Sequence, residues 1–249
     1  VYSLSTGSDG RAATPTDLTP GRCEVDYAEV ESATSLVVSD ACAGVDRRRL
    51  VRIDSRTGAA VVLTADDGVA IQPMAFDHGR KLVWRGNASQ LQTVRILSGG
   101  QVVAPEPTPR DPFPDVLEES VQLTATDGVV THAQVFHPTG PGPHPALLFL
   151  HGGPQRQTFA AAAPSAFYSR FGWMNRALAA QGYVVMQLNY RSGTGQGRDF
   201  RRIRGVARNG GSERLDVLAG HAWLAARSDV DRTRIGLWGD SWGDRKSVV

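Results

Sequence analysis

Gly239-Asp240-Ser241-Trp242-Gly243, near the end of the chain, has the spacing Gly-x-Ser-x-Gly. It follows directly on residues 234–238, an apolar run ending in Leu237-Trp238 that reads as a β-strand. A serine on a sharp turn at a strand end is held in a strained backbone conformation with its hydroxyl standing clear of the sheet, the presentation that nucleophilic attack needs. Ser241 is therefore the candidate nucleophile. Gly239 and Gly243 flank it as residues small enough for the close approach of neighbouring backbone.

A serine nucleophile also needs donors aimed at the oxyanion that forms during attack, each typically worth about 2.7–4 kcal/mol. His151-Gly152-Gly153-Pro154 can supply them, because it follows the apolar run Ala146-Leu147-Leu148-Phe149-Leu150, expected to be a strand covered on both faces by helices. The expected pair is the backbone N–H of Gly153 and that of Trp242, with Gly152 allowing close approach. His151 is not expected to be the base, since in this fold the order runs nucleophile, acid, histidine; its expected role is to brace the turn. His78, His132, His137, His144 and His221 have no motif around them and read as surface or packing residues.

The elements that must position these residues are strands and helices in alternation. Residues 121–125 and Val130–His137 read as strands around the turn Asp127-Gly128. A helix around 173–180 precedes a strand at 183–189. A second helix, with Leu215, Leu218, Ala219, Ala222, Trp223 and Ala226 expected on its buried side, precedes the strand that ends at the elbow. The order argues an α/β class with a mostly parallel sheet. Gly193, Gly195 and Gly197 follow a strand, yet a dinucleotide fingerprint would put its third glycine at Arg198, so a flexible loop at the site's rim is expected instead.

The first hundred residues repeat. Val51-Arg52-Ile53 recurs as Val94-Arg95-Ile96, and Ser35-Leu36-Val37-Val38 answers Lys81-Leu82-Val83-Trp84. A period of about 40–45 residues with short strands and glycine turns is that of β-propeller blades. The alternative is a small antiparallel sheet with a chance repeat. The prolines at 105, 107, 109, 112 and 114 mark a linker. The expected organisation is thus a partial propeller over 1–103, a Pro-rich linker over 104–115, an α/β domain over 116–243 and a tail over 244–249.

The chain has 249 residues, 41% of them hydrophobic and 21% charged, with a net charge of +2. This composition excludes disordered, collagenous and disulfide-scaffold classes. Nothing approaches the roughly 18 consecutive apolar residues of a membrane span. Residues 1–115 carry a net −3 and 116–249 a net +5, neither of which demands a polyanion, so no nucleic-acid partner is expected. The arginines at 198, 201, 202, 204 and 208 read as a solvated face. Cys23 and Cys42 are too few for a zinc site and are free thiols or one disulfide. No metal or cofactor is expected. With no targeting segment visible, a cytoplasmic setting is favoured.

Together His151-Gly152-Gly153-Pro154, Asn189-Tyr190-Arg191-Ser192-Gly193-Thr194-Gly195, the helix bearing Glu213 and Asp216, and residues 230–237 leading into the elbow resemble the catalytic domain of the prolyl oligopeptidase family of serine peptidases. The likeness is strongest to its acylaminoacyl-peptidase and dipeptidyl-peptidase branches. It implies an α/β-hydrolase domain, incomplete at its C-terminus, preceded by the last blades of a β-propeller. It implies hydrolysis of short peptides through an acyl-enzyme on Ser241. An esterase or lipase using the same elbow and a non-catalytic propeller binding module are the alternatives. The family places its acid and histidine well after the serine, whereas here Asp244-Arg245-Lys246-Ser247-Val248-Val249 follows. Those six residues are expected to be a non-native tail, Lys246 being one of only two lysines, and the chain an inactive, poorly folding fragment.

Overall fold

A computed structural model describes residues 2–3, 14–19, 24–64, 68–75, 80–87, 90–98, 101–103, 112–159, 166–206 and 211–244. The chain divides into two compact units, Val1–Pro109 and Arg110–Val249.

In the first unit, β1 (Tyr2–Ser3) pairs with β2 (Thr16–Asp17). The rest is two four-stranded antiparallel meanders. One is made of β3 (Val25–Ser32), β4 (Ser35–Asp40), β5 (Arg49–Asp54) and β6 (Ala60–Val62). The other is made of β7 (Gly68–Ala75), β8 (Lys81–Asn87), β9 (Gln90–Ser98) and β10 (Gln101–Val103). Each is a propeller-like blade, and the sequence repeat falls on equivalent strands. Ser35–Val38 and Lys81–Trp84 lie in the second strand of their sheets, Val51–Ile53 and Val94–Ile96 in the third. Val37, Leu50, Leu63, Ala70, Val83 and Leu97 form one buried cluster that joins the blades. Lys81 crosses between them to Glu31 at 2.7 Å. Arg52 and then Lys81 hold that carboxyl down to about 2 against its partial burial. Cys42 is disulfide-bonded; Cys23 lies outside the described residues, as do residues 104–111 of the Pro-rich stretch.

The second unit is a five-stranded sheet in the order β11 (Leu117–Thr124), β12 (Val130–His137), β14 (Val184–Asn189), β13 (His144–Leu150), β15 (Val230–Gly239). Its pairings β13–β14 and β13–β15 are parallel, and β11–β12 and β12–β14 antiparallel. The sheet is therefore mixed, not mostly parallel. The short turn at Asp127-Gly128 makes a hairpin of β11 and β12, and β12 then sets its neighbour β14 against its own direction.

Strand pleating sends alternate residues to opposite faces. Ala146, Leu148 and Leu150 pack with Val217 and Leu224 of α3 (Glu213–Ala225), the helix that follows the short α2 (Arg198–Arg201). Leu147 joins Val185, Leu178 and Ala179, and Phe149 stacks on Phe171, all on the side of α1 (Ala166–Ala180). β14 is buried along its whole length, as a central strand under two helical layers must be. The end of the Pro-rich stretch docks on α1: Phe113 meets Trp173 edge to face, and its carbonyl accepts from Arg176 at 3.3 Å.

The buried face of α3 matches the expected one only in part: Ala219 and Trp223 pack against the core. Leu218, Ala222 and Ala226 are exposed, while Glu213, Asp216, Val217, Gly220 and Leu224 are buried. Gly220 brings the helix onto the sheet, since a Cβ there would lie 3.2 Å from Met186 Sδ and 3.3 Å from Leu148 Cδ1. Rotating the helix to use that notch turns Asp216 inward, where an arginine meets it.

Candidate functional site

Three parallel strands, β13, β14 and β15, end side by side, and in open α/β sheets it is the carboxyl ends of strands that carry ligand sites. Leu150 pairs with Gly239, so residues 151–154 and 240–243 leave the sheet from adjacent strand ends. Asp240 N–H donates to the Leu150 carbonyl at 3.2 Å, and Gly243 N–H closes the turn on the Asp240 carbonyl at 2.8 Å.

Ser241 sits at the top of that turn with φ 52°, a left-handed conformation costing a non-glycine residue on the order of 1–3 kcal/mol. Its side chain is exposed, and among the described residues no group is hydrogen-bonded to its hydroxyl. Both flanking glycines are sterically required. A Cβ on Gly243 would fall 2.0 Å from the Leu150 carbonyl oxygen and 2.7 Å from that of His151. One on Gly239 would fall 2.8 Å from Asp244 N and 2.9 Å from the Leu150 oxygen. Trp242 is partly buried and packs against the α3-side core.

Across the gap, Gly153 is exposed with φ 134°, a conformation that glycine alone adopts readily, and Gly152 is buried beneath it. His151 is fully buried. Its Nδ1–H donates to the Gly152 carbonyl at 2.8 Å, and its ring stacks on Tyr190, centroids 4.3 Å apart and 13° from parallel. It is a packed part of the loop's base.

The loop after β14 is tightly held. Tyr190, Arg191, Ser192, Gly193 and Gly195 are all buried, so the expected flexible rim is instead a fixed wall. Gly193 has no room for a side chain, because a Cβ would lie 2.7 Å from the Arg156 carbonyl oxygen. Arg191 fastens the wall. Its backbone N–H, Nε and Nη2 donate to Asp216 at 2.7–3.1 Å, and its other guanidinium edge reaches Asp127 in the β11–β12 turn. Asp216 and Arg191 are both buried. Burial pushes the Asp216 carboxyl up, yet with three nitrogens of Arg191 donating to it, it is the ionised acceptor of the pair at neutral pH. Hydrogen bonding by Arg191 holds Asp127, at the surface, down to about 2.

Removing one partner of a buried pair leaves the other charge uncompensated, so Asp216→Ala is expected to lower stability by about 3–5 kcal/mol. Asp127→Ala, at the solvent end of the same arginine, should cost far less. Urea denaturation of both variants checks the ranking, and equal losses would contradict it.

The residues singled out from sequence thus converge: Ser241, Trp242, Gly239 and Gly243 at one strand end, and His151, Gly152 and Gly153 at its neighbour. Asn189, Tyr190, Thr158 and Arg191 were given no role from sequence. For Asn189, Tyr190 and Arg191 the signal is present nonetheless, as a polar run where β14 ends, whereas Thr158, in the loop after β13, has no such signal. Arg198, Arg202 and Arg204 are exposed, while Arg208 lies outside the described residues. Among the described residues no cluster of His, Cys, Asp or Glu could hold a metal ion, and no helix is long and apolar enough to cross a membrane.

Residues 169–244 match the family model described as prolyl oligopeptidase family. The uncharacterized peptidase YuxL of Bacillus subtilis is 29% identical over 132 residues, which cover 51% of this chain and 18% of YuxL. Human dipeptidyl peptidase 8 is 29% identical over 143 residues, covering 55% of this chain and 15% of that protein. The crystal structure of Porphyromonas gingivalis dipeptidyl peptidase 4 superposes with a TM-score of 0.70 at 19% identity, over 96% of this chain and 34% of that one, a likeness of fold. The chain therefore spans 34% or less of the length of each of these three proteins.

Proposed function

We propose, for a chain whose residues 169–244 match the prolyl oligopeptidase family model, that its second unit is of the α/β-hydrolase kind and hydrolyses peptides through an acyl-enzyme on Ser241. The observation that carries the reading is the strained, exposed Ser241 at the strand end, φ 52°, between two glycines that tolerate no side chain. Relatives and fold neighbours that are peptidases support it at the level of the family.

In this reading Ser241 Oγ attacks the carbonyl carbon of the scissile peptide bond. The hydroxyl proton passes to a general base, and the carbonyl electron pair becomes an oxyanion facing the N–H groups of Gly153 and Trp242. Collapse of the tetrahedral intermediate breaks the C–N bond, and the leaving amine takes the proton. Water then attacks the acyl-enzyme, releasing the acid and restoring the serine. In the family's order the histidine and its acid follow the nucleophile in sequence. The blades of the first unit fit a propeller that precedes such a domain and limits access to peptides that are short.

Gly153→Val tests the oxyanion assignment, because the positive φ at this position is hostile to a β-branched residue. A misplaced donor weakens the transition state more than the bound substrate, so kcat of the full-length protein should fall by roughly 10²-fold or more with KM changed far less. Unchanged kcat would place the oxyanion donors elsewhere.

A further inference from the structure

The loop that carries the proposed oxyanion donor is tied to the neighbouring strand end at several points. After Leu150 it runs through His151-Gly152-Gly153-Pro154, and Gly153 and Gln155 are exposed. What holds it is the run that leaves the neighbouring strand β14. Tyr190 Oη–H donates to the His151 carbonyl at 2.6 Å, while its ring lies flat on the His151 imidazole. Thr194 N–H donates to the Arg156 carbonyl at 3.0 Å. The Asn189 side chain then clamps the far end of the loop. Its Oδ1 accepts from Thr158 N–H at 2.8 Å, and its Nδ2–H donates to the Thr158 carbonyl at 2.9 Å. That reciprocal pair imitates one rung of a β-ladder with a side-chain amide in place of a strand. Thr158 Oγ1 adds a bond to the same Oδ1 at 2.9 Å, and Thr131 donates its hydroxyl to the Asn189 carbonyl.

The three attachments fall at positions 151, 156 and 158, so they bracket Gly153 on both sides. The first attachment is two residues from the donor, on the very residue from which the loop turns. Asn189, Thr158 and Tyr190 are all buried, so these bonds are not exchanged with solvent and a lost partner would not be replaced by bulk water. The Arg191–Asp216 pair secures the run itself in the next position, including its backbone N–H.

We infer that Asn189 and Tyr190 are positioning residues for the reaction, a template built on the end of β14 that holds the 151–158 loop so that the Gly153 N–H faces the oxyanion. The inference rests on the assignment of Ser241 and Gly153 above. It predicts an effect on the transition state that is separable from stability, because removing the Tyr190 hydroxyl leaves its ring stacked on His151 and the strand pairings intact.

The test is Tyr190→Phe and Asn189→Ser in the full-length protein, with kcat and KM for a short peptide substrate, the rate of labelling by a fluorophosphonate, and the thermal midpoint. Each variant should lose roughly 10- to 100-fold in kcat and a similar factor in labelling rate, with KM within about twofold. Tyr190→Phe should retain a cooperative thermal transition. A purely structural role would lower the thermal midpoint and leave kcat of the folded protein unchanged, and that result in the variants overturns the proposal. If Tyr190→Phe does not fold, the kcat-against-KM split in Asn189→Ser decides alone. Wild-type protein labelled at Ser241 with both variants labelled equally fast rejects the template and keeps the nucleophile. Absence of wild-type labelling at Ser241 rejects the underlying assignment itself.

Discussion

Gly243→Ala is expected to cost the full-length protein at least about 10²-fold in fluorophosphonate labelling, even though the change adds a single methyl group outside the reacting atoms. The methyl carbon would begin 2.0 Å from the Leu150 carbonyl oxygen and 2.5 Å from its carbon, both of them backbone atoms of a buried central strand. Neither side can give by rotating a side chain, so the turn 240–243 must move off β13. That movement displaces Ser241 and the Trp242 N–H together, and overpacking of this kind also typically costs 1–3 kcal/mol or more in stability. Gly172→Ala is the matched control. It lies within α1, where an added Cβ meets nothing within 4 Å, and the change should be neutral or stabilising by about 0.5–1 kcal/mol. Similar labelling of the two variants would mean that the close approach at Gly243 does not hold the elbow.

The second large effect is on chemistry alone. Ser241→Ala removes one oxygen from an exposed position and relieves no buried contact, so folding should be essentially unaffected. Turnover of a peptide substrate should nevertheless fall by on the order of 10⁶-fold, the scale seen when a serine hydrolase loses its nucleophile. KM should change little, because Ser241 contributes to bond making and not to holding the ground state. Steady-state kinetics on the variant, with the thermal midpoint measured alongside, checks both parts.

Local interactions leave a mark in the amino-acid sequence, and contacts between distant segments do not. The elbow could be read because its constraints are local: an apolar strand, then two glycines spaced around a serine. The blades could be read because the repeat falls on strands of the same position in each sheet, with Val37 and Val83 entering one shared cluster. The buried face of α3 could be read from apolar spacing only in part, at Ala219 and Trp223. Gly220 carries no side chain to count as apolar, and Asp216 can be buried because Arg191, 25 residues earlier, is there to meet it. The loop after β14 was misread for a related reason. Its glycines suggest freedom, yet Gly193 is there because the Arg156 backbone passes within reach of any side chain, and a glycine chosen for close packing looks in sequence like one chosen for flexibility. The mixed sheet depends on β12 lying beside β14, a pairing between strands that are not successive in the chain.

Peptide hydrolysis as proposed requires Ser241 as its nucleophile. The most direct measurement is to react the full-length protein with a fluorophosphonate until peptide hydrolysis stops, digest it, and locate the adduct by tandem mass spectrometry. One equivalent of phosphonyl group is expected on Ser241, in the peptide containing Gly239-Asp240-Ser241-Trp242-Gly243. Complete loss of hydrolysis with the adduct on another residue and Ser241 unmodified would contradict it.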